Sequence, residues 1–228
     1  MEGDFGHPRM LRRAFCGLTT KNYNRVFLNL TRTLQTDKPS PEQIARHLSS
    51  LKGESTEWPG DLALHNAWQR RHVYQMLQNP KVVHILWRLN EAYMTSRNEP
   101  ISIDGQLTVE HILPQSWIAN WLLSDGSRGL SWQEIQAAPE DDPIAAASRR
   151  RNEMLQTVGN LTIVASPPNS AISHSAWQVK KPAIQAASLL PINQQFLSVD
   201  QWDEAAILSR SQELFRHAVR IWPAPSQE

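Results

Sequence analysis

The first hundred residues follow a helical alternation of apolar and polar positions. In the segment KNYNRVFLNLTRTLQ, the side chains of Tyr23, Phe27, Leu30 and Leu34 recur at the spacing of one helix face. The segment SPEQIARHLSSLKG adds a helix start, because Ser40 suits an N-cap and the proline after it suits the first helical position. Two further segments, DLALHNAWQRRHVYQML and PKVVHILWRLNEAYM, keep the same rhythm. Residues 10–98 are therefore predicted to be helical, and none of them forms a recognisable chemical motif.

Near residue 100 the pattern changes from helical to strand-like. The stretch ISIDGQLTVEHIL is rich in β-branched residues, and its Asp104-Gly105 pair predicts a strand or a hairpin. A second short strand is predicted in NLTIVAS. Between the two lies a long insertion whose second half, residues 143–158, reads as a helix that Asp142 caps and Gly159 ends.

Two helices are predicted after the second strand. PPNSAISHSAWQVKKP opens with turn residues and continues as a helix that Pro182 breaks. The last helix is expected to start near Asp200 and to stop before Pro223. The predicted fold class is therefore α+β and mostly α, with three parts: a helical N-terminal scaffold over 1–100, a core over 101–185 with a helical insertion at 117–158, and a C-terminal helical part over 186–228 that packs on the scaffold.

Composition narrows the class of protein without naming a function. The net charge is +1, so any attraction to nucleic acid has to come from local patches. The single cysteine, Cys16, forbids an internal disulfide. Neither a signal peptide nor a run of about 18 apolar residues is present, so we expect a cytoplasmic protein that does not enter a membrane. The nine Trp residues are expected to fill the core.

Candidate chemistry is concentrated in the strand-like half. TVEHILPQSW places Glu110 beside His111 in an apolar run. A histidine with an ordinary pKa is mostly neutral at pH 7 and accepts a proton from water. A glutamate is a hard oxygen ligand of the kind that Mg²⁺ or Mn²⁺ prefers, and the amides of Asn160 and Asn169 add neutral oxygens. These groups suit phosphodiester hydrolysis.

The same motifs resemble a known family. EHILPQS, GNLTIV and Asn169 resemble the HNH nuclease motif on a ββα-metal fold, as in the HNH domain of RNA-guided CRISPR nucleases. The chain is more similar to the C-terminal nuclease domain of GmrSD-type modification-dependent restriction enzymes and to related phage-defence proteins such as SspE. That group also has a downstream lysine, here Lys180 or Lys181, and a terminal helix, here with Arg210, that ends in Trp222-Pro223.

The resemblance implies a role for each motif residue. His111 would be the general base, and Glu110 and Asn169 would hold Mg²⁺ or Mn²⁺. Asn160 would fix the loop between the strands and orient His111 through hydrogen bonds. Adjacent side chains of a strand point to opposite faces, so Glu110 and His111 share a site only if the strand bends or ends, as Pro114 suggests.

Several other residues have two interpretations. His174 suits a third ligand, a phosphate contact or a structural histidine. Arg149, Arg150 and Arg151 suit a solvated helix face or contact with the DNA backbone. Lys180 is expected to contact a phosphate, as the resemblance implies.

The function implied by the resemblance is a metal-dependent HNH endonuclease that nicks or cleaves duplex DNA as the effector of a modification-dependent restriction or phage-defence system. A nucleotide-hydrolysing sensor would then be a separate domain or a partner chain, because the sequence has no Gly-rich phosphate loop. Two alternatives stay open: a catalytically inert helical module for DNA binding or protein interaction, and a nuclease that acts on RNA.

Overall fold

The chain folds as an α+β protein that is mostly helical, which confirms this part of the predicted fold class. The structure is a computed structural model and describes residues 7–34, 39–94, 105–165, 170–196 and 198–225. Within those residues it has twelve α-helices and one two-stranded sheet. The chain divides into two compact units, Met1–Trp68 with Ala218–Glu228, and Gln69–His217. The boundaries expected at 100 and 185 both fall inside the second unit.

The first unit is organised around buried arginines of its first helix. Arg9, Arg12 and Arg13 are each fully buried. Arg13 donates to the carbonyls of Glu54 and Glu57, and Arg12 donates to Trp222 O at 2.7 Å and pairs with the carboxylate of Asp61 at 2.6 Å. Backbone carbonyls thus take most of the hydrogen bonds of these charges. The helices of this unit are α1 (Pro8–Phe15), α2 (Tyr23–Leu34), α3 (Pro41–Ser50) and α4 (Asp61–Arg70).

The second unit packs helices around a short antiparallel sheet. Residue Thr108 pairs with Val164, and His111 pairs with Leu161. Both predicted strands are confirmed within these bounds, whereas Asp104 of the predicted hairpin lies outside the described residues. The elements are α5 (Val73–Met76), α6 (Asn79–Glu91), β1 (Thr108–His111), α7 (Trp132–Ala137), α8 (Pro143–Met154), β2 (Leu161–Val164), α9 (Ser170–Ser173), α10 (Trp177–Ala187), α11 (Pro191–Gln194) and α12 (Glu204–Ile221).

Helix α8 begins where the sequence predicts and ends earlier. The carboxylate of Asp142 accepts hydrogen bonds from the backbone N–H groups of Ile144 at 2.8 Å and Ala145 at 2.9 Å, which confirms the cap. The prediction that Gly159 ends this helix is wrong, since α8 stops at Met154. The following carbonyl, Leu155 O, accepts instead from the side chain of Asn160 at 3.0 Å. Residues Val158–Asn160 form a 3₁₀ turn that leads directly into β2.

Helix α10 corrects the expected effect of Pro182. The helix runs through this proline to Ala187, so the prediction of a break there is wrong. A proline inside a helix removes the hydrogen bond to the carbonyl four residues earlier, which here belongs to Gln178. Because Gln178 is exposed, water can solvate that carbonyl. The chain is interrupted instead between α9 and α10.

Helix α12 starts slightly later than expected and ends as expected. Its first residue is Glu204, and the carboxylate of Asp203 accepts a hydrogen bond from Ala206 N at 2.9 Å. It ends at Ile221, before Pro223. Among the residues that the structure describes, no helix combines the length and the apolar character needed to cross a bilayer.

We expect Gly159→Ala to destabilise the protein by about 3 kcal/mol, because a rigid backbone atom occupies the place of the added methyl group. A Cβ on Gly159 would lie 2.4 Å from Ile207 O and 2.9 Å from the Cβ of Ser211, both on α12. Urea unfolding would measure the loss. The matched control is Gly60→Ala, whose added Cβ meets nothing within 4 Å. Equal midpoints for the two variants would contradict this explanation of Gly159.

Candidate active site

His111 is the last residue of β1 and lies almost completely inside the protein, with 9% of its surface exposed. Its ring Nε2 is 3.0 Å from Gln156 Oε1 and 3.2 Å from Gln115 Nε2. The ring of Tyr74, from α5, meets the imidazole edge-on with 4.5 Å between ring centroids. Three separate parts of the chain therefore hold the imidazole.

The buried hydrogen-bond partner of His111, Gln156, indicates which ring nitrogen carries the proton. Gln156 is buried whereas Gln115 is exposed, so the Gln156 amide is the more constrained of the two. A neutral imidazole that donates Nε2–H to Gln156 Oε1 leaves Nδ1 unprotonated. Burial lowers the pKa of His111, and the hydrogen bond to Gln156 and the charge of Glu110 oppose that effect only partly. The ring is therefore neutral at pH 7, which is the state that a general base requires.

Glu110, the neighbour of His111 on the strand, is held by a buried lysine. Lys180 Nζ lies 2.7 Å from Glu110 Oε1, and it donates to His111 O at 2.6 Å and to Ser173 O at 2.7 Å. An ammonium group has three N–H donors, and these three acceptors use all of them. All three donors of Lys180 are therefore used by acceptors of the protein, and its contact with a phosphate stays a prediction. Burial lowers the pKa of Lys180, and the charge of Glu110 opposes the shift.

Asn160 fixes the chain that follows His111. Its Oδ1 accepts from Leu113 N at 2.8 Å and from Trp202 Nε1 at 3.1 Å. Its Nδ2 donates to Leu113 O at 2.9 Å and to Leu155 O at 3.0 Å. The amide thus makes all four of its hydrogen bonds with other residues. Asn160 holds the backbone two residues beyond His111 and does not touch the imidazole itself through these bonds.

Arg210 of α12 supports the segment that carries Asn160. Its Nη1 donates to Gly159 O at 2.9 Å and to Leu161 O at 2.8 Å, the carbonyls on either side of Asn160. Burial lowers the pKa of Arg210 to about 10, and the nearby Tyr93 opposes that shift. The C-terminal helix is therefore part of the framework of the site.

Among the described residues, no hydrogen bond or ring contact joins His111 to the other candidates, His174 and the run Arg149, Arg150 and Arg151. Asn169 lies outside the described residues. His174 is exposed in the turn between α9 and α10, where its carbonyl accepts from Asn120 Nδ2 at 2.8 Å. Of the arginine run, Arg150 is exposed and Arg149 is half-buried.

Arg151 does not belong to an exposed basic face, which corrects the interpretation of the whole run. Its side chain is 2% exposed, and its Nε and Nη2 bind the carboxylate of Glu204 at 2.5 and 3.1 Å. Its Nη1 donates to Leu122 O at 2.8 Å, and its guanidinium lies over the ring of Trp117. Within this run, exposed surface is left to the two arginines before it, and their contact with a DNA backbone stays a prediction.

Among the site residues that the structure describes, Glu110 offers one hard oxygen ligand for a divalent cation. No group of three or more His, Cys, Asp or Glu side chains that could hold a metal ion occurs within the described residues. Lys180 contacts Oε1 of Glu110, and within the same described part of the chain Oε2 has no partner. Mg²⁺ binds through one or two carboxylates together with water and substrate phosphate, so a single available oxygen is compatible with such a site.

A comparison with protein families identifies the domain. The family of GmrSD restriction endonucleases, C-terminal domain, matches residues 58–217. The chain belongs to this family. The match contains Glu110, His111, Asn160, Lys180 and Arg210, and membership in the GmrSD family makes the domain a nuclease, and so a hydrolase, of the restriction-endonuclease type. A search of curated proteins found no match.

The sequence did not indicate most of the side chains that hold His111 and Asn160 in place. Gln156, Tyr74 and Trp202 have no motif of their own, whereas Gln115 lies within the EHILPQS segment. Gln156 and Asn160 lie four positions apart, but α8 ends at Met154 and Val158–Asn160 is a 3₁₀ turn, so helical spacing gave no usable signal for Gln156. Tyr74 and Trp202 lie far from the motif in sequence and gave no signal.

We expect Lys180→Met to destabilise the protein by about 3–5 kcal/mol, because it leaves Glu110 and two carbonyl oxygens without their buried partner. The matched control is Lys181→Met, whose ammonium group is only partly buried and donates to Val199 O at 3.0 Å. The control should lose no more than about 1 kcal/mol. Chemical denaturation would measure the stability loss of both variants. A Lys180→Met variant as stable as the control would contradict the role of Lys180 in holding Glu110 and the two carbonyls.

The lowered pKa of His111 predicts a pH dependence of stability. The unfolded chain binds a proton near the ordinary pKa of about 6.5, whereas the folded state does so only at lower pH. The free energy of unfolding should therefore fall as the pH drops below about 6.5, and it should fall less in His111→Gln. Urea unfolding in EDTA at a series of pH values would measure this. Parallel pH profiles for the two proteins would contradict the burial effect.

Proposed function

We propose that the chain is a metal-dependent HNH endonuclease domain that nicks or cleaves DNA in a modification-dependent restriction or phage-defence system. The observation that carries the proposal is a buried, neutral imidazole, His111, at the end of β1 and beside Glu110. In the proposed ββα-metal core, the antiparallel pair of β1 and β2 would be followed by α9, and α7 and α8 would form an insertion between the strands. Membership in the GmrSD family supplies the class of reaction.

The proposed chemistry assigns one task to each residue. Nδ1 of His111 takes a proton from water, and the resulting hydroxide attacks phosphorus while the bond to the 3′ oxygen breaks. The released 3′ oxygen takes a proton from solvent, which leaves a 5′-phosphate and a 3′-hydroxyl. Glu110 and Asn169 would hold Mg²⁺ or Mn²⁺, which would stabilise the negative charge that develops on the leaving oxygen. Gln156 and Tyr74 orient the imidazole, and Asn160 fixes the chain after it. Lys180 positions Glu110 and the His111 carbonyl.

The proposed substrate is duplex DNA, and the proposed location is the cytoplasm. With a net charge of only +1, binding has to rely on local positive charge, for which Arg149 and Arg150 are candidates. Recognition of modified DNA and nucleotide hydrolysis are assigned to a sensor domain or partner chain.

Two observations favour a second candidate, a catalytically inert module for DNA binding or protein interaction. Lys180 already neutralises Glu110, and His111 has little exposed surface. An inert module would neither bind a divalent cation nor depend on His111. Titration calorimetry with Mn²⁺ separates the two candidates, because the nuclease predicts binding that Glu110→Gln weakens.

In a plasmid-nicking assay with Mg²⁺ or Mn²⁺, we expect His111→Ala to lose activity by about 10²–10⁴-fold, the usual contribution of a general base. Asn169→Ala should also reduce nicking strongly, and EDTA should abolish it. The matched control is His72→Ala, a histidine at the start of α5 whose side chain makes no capping hydrogen bond.

Thermal melting of each variant would show that the loss is not caused by unfolding. A parallel assay on RNA of the same sequence tests the alternative substrate, since preferential cleavage of RNA would replace DNA in the proposal. Equal nicking by wild type, His111→Ala and Asn169→Ala would refute the assignment.

A further inference from the structure

Gln115 is the most accessible of the three side chains that contact the imidazole of His111. Gln156 is buried and Tyr74 is half-buried, whereas Gln115 is exposed. The Nε2 atom of Gln115 lies 3.2 Å from His111 Nε2, and the two residues are four positions apart in the chain. An exposed amide therefore touches a ring that has only 9% of its own surface exposed.

The backbone that carries Gln115 is held in place next to His111. The side chain of Asn160 binds both polar atoms of the Leu113 backbone, the nitrogen at 2.8 Å and the oxygen at 2.9 Å. The residue between Leu113 and Gln115 is a buried proline, whose ring fixes φ. The side chain of Gln115 thus starts from a fixed point and ends in solvent. A group placed in this way loses little conformational freedom when it binds a ligand.

The Gln115 amide has N–H donors that His111 does not use. In the tautomer assigned above, Nε2 of His111 carries a proton and donates it to Gln156 Oε1 at 3.0 Å. A protonated ring nitrogen has no lone pair, so it cannot accept from the NH₂ group of Gln115. Within the described part of the chain, the side chain of Gln115 makes no other hydrogen bond. Its N–H groups can therefore donate to a molecule that arrives from solvent.

Two other polar side chains near His111 have already used their donors. The ammonium group of Lys180 contacts the Glu110 carboxylate and two carbonyl oxygens. The Nδ2 group of Asn160 donates to two further carbonyl oxygens. The oxygens of a phosphodiester need donors when they leave water, because an unpaired acceptor costs free energy. Of Lys180, Asn160 and Gln115, only Gln115 has N–H groups without an acceptor among the described residues.

A scissile phosphate would have to lie next to the same imidazole. In the mechanism proposed above, Nδ1 of His111 takes the proton of the attacking water. Reacting atoms have to come within about 3–3.5 Å of each other, so the phosphorus must lie close to that water. The phosphate is then near the ring whose other nitrogen contacts Gln115.

We propose that Gln115 is a substrate-binding residue whose side-chain N–H donates to a non-bridging oxygen of the phosphodiester beside His111. The inference rests on the nuclease function proposed above. The contact holds the phosphate at the general base and adds no charge to the site. It does not depend on the base sequence, because contacts to phosphate position a nucleic acid without reading it.

The first test compares single-turnover nicking by wild type, Gln115→Ala and Gln115→Glu. We expect Gln115→Ala to be slower by about tenfold or more, the effect of losing one hydrogen bond to a charged group. Gln115→Glu should be slower still, because a carboxylate repels the phosphate. The matched control is Ser116→Ala, an exposed neighbour whose side chain makes no capping hydrogen bond, which should nick as wild type does. Thermal melting checks that each variant is folded, and equal rates for all four proteins would overturn the proposal.

A sulfur substitution separates a contact with substrate from support of the imidazole alone. The substrates are duplexes in which sulfur, a weaker hydrogen-bond acceptor, replaces one non-bridging oxygen of each linkage, prepared as each stereoisomer. In the stereoisomer that places sulfur at Gln115, wild type should be slowed more than Gln115→Ala, because only wild type loses a hydrogen bond there. A residue that merely orients His111 predicts the same sulfur effect in both proteins for both stereoisomers. That result would overturn the proposal.

An NMR titration in EDTA separates this inference from the proposed function, because no cleavage is required. The side-chain NH₂ signals of Gln115, assigned with Gln115→Ala, are followed while a short DNA duplex is added to the full chain. We expect the duplex to shift these signals. A shift without any cleavage by wild type would reject the nuclease assignment and keep the Gln115 contact. Cleavage that depends on His111, with no shift and with unchanged nicking by Gln115→Ala, would reject the Gln115 contact alone.

Discussion

The side chain of Asn160 is the constraint on which the geometry of the candidate site depends. It is completely buried, and both of its polar atoms are saturated by two hydrogen bonds each. These bonds join the chain after β1, the end of α8 and Trp202. Leaving a donor or acceptor of a buried amide unpaired costs free energy. The four hydrogen bonds of Asn160 therefore hold the three segments in one arrangement.

Around that anchor, adjacent residues of one strand are held by different parts of the fold. Glu110 is paired with Lys180 from α10, whereas His111 is held by Gln156 beyond α8 and by Tyr74 from α5. Adjacent side chains of a strand point to opposite faces, so Glu110 and His111 share one site only if the strand bends or ends there. The strand ends at His111, and the lysine that holds Glu110 also binds the His111 carbonyl. The ammonium group of Lys180 therefore fixes both the carboxylate of Glu110 and the backbone of His111.

Local features of the fold were predictable from the sequence, whereas its long-range contacts were not. The caps at Ser40 and Asp142 and both strands follow from signals within a few residues. The burial of Arg151 depends on Glu204, which lies 53 residues away. The hydrogen bond from Lys180 to the carbonyl of His111 spans 69 residues. Pro182 was misleading because its helix tolerates one missing hydrogen bond at Gln178, an exposed residue. No periodicity or motif carries such information.

The dependence of β2 on α12 has a consequence for biosynthesis. Arg210 binds the carbonyls of Gly159 and Leu161, and Trp202 binds the amide between them. During translation, both strands and His111 leave the ribosome before these two residues do. A nascent chain therefore carries the motif without the supports that shape it until Trp202 and Arg210 have been synthesised.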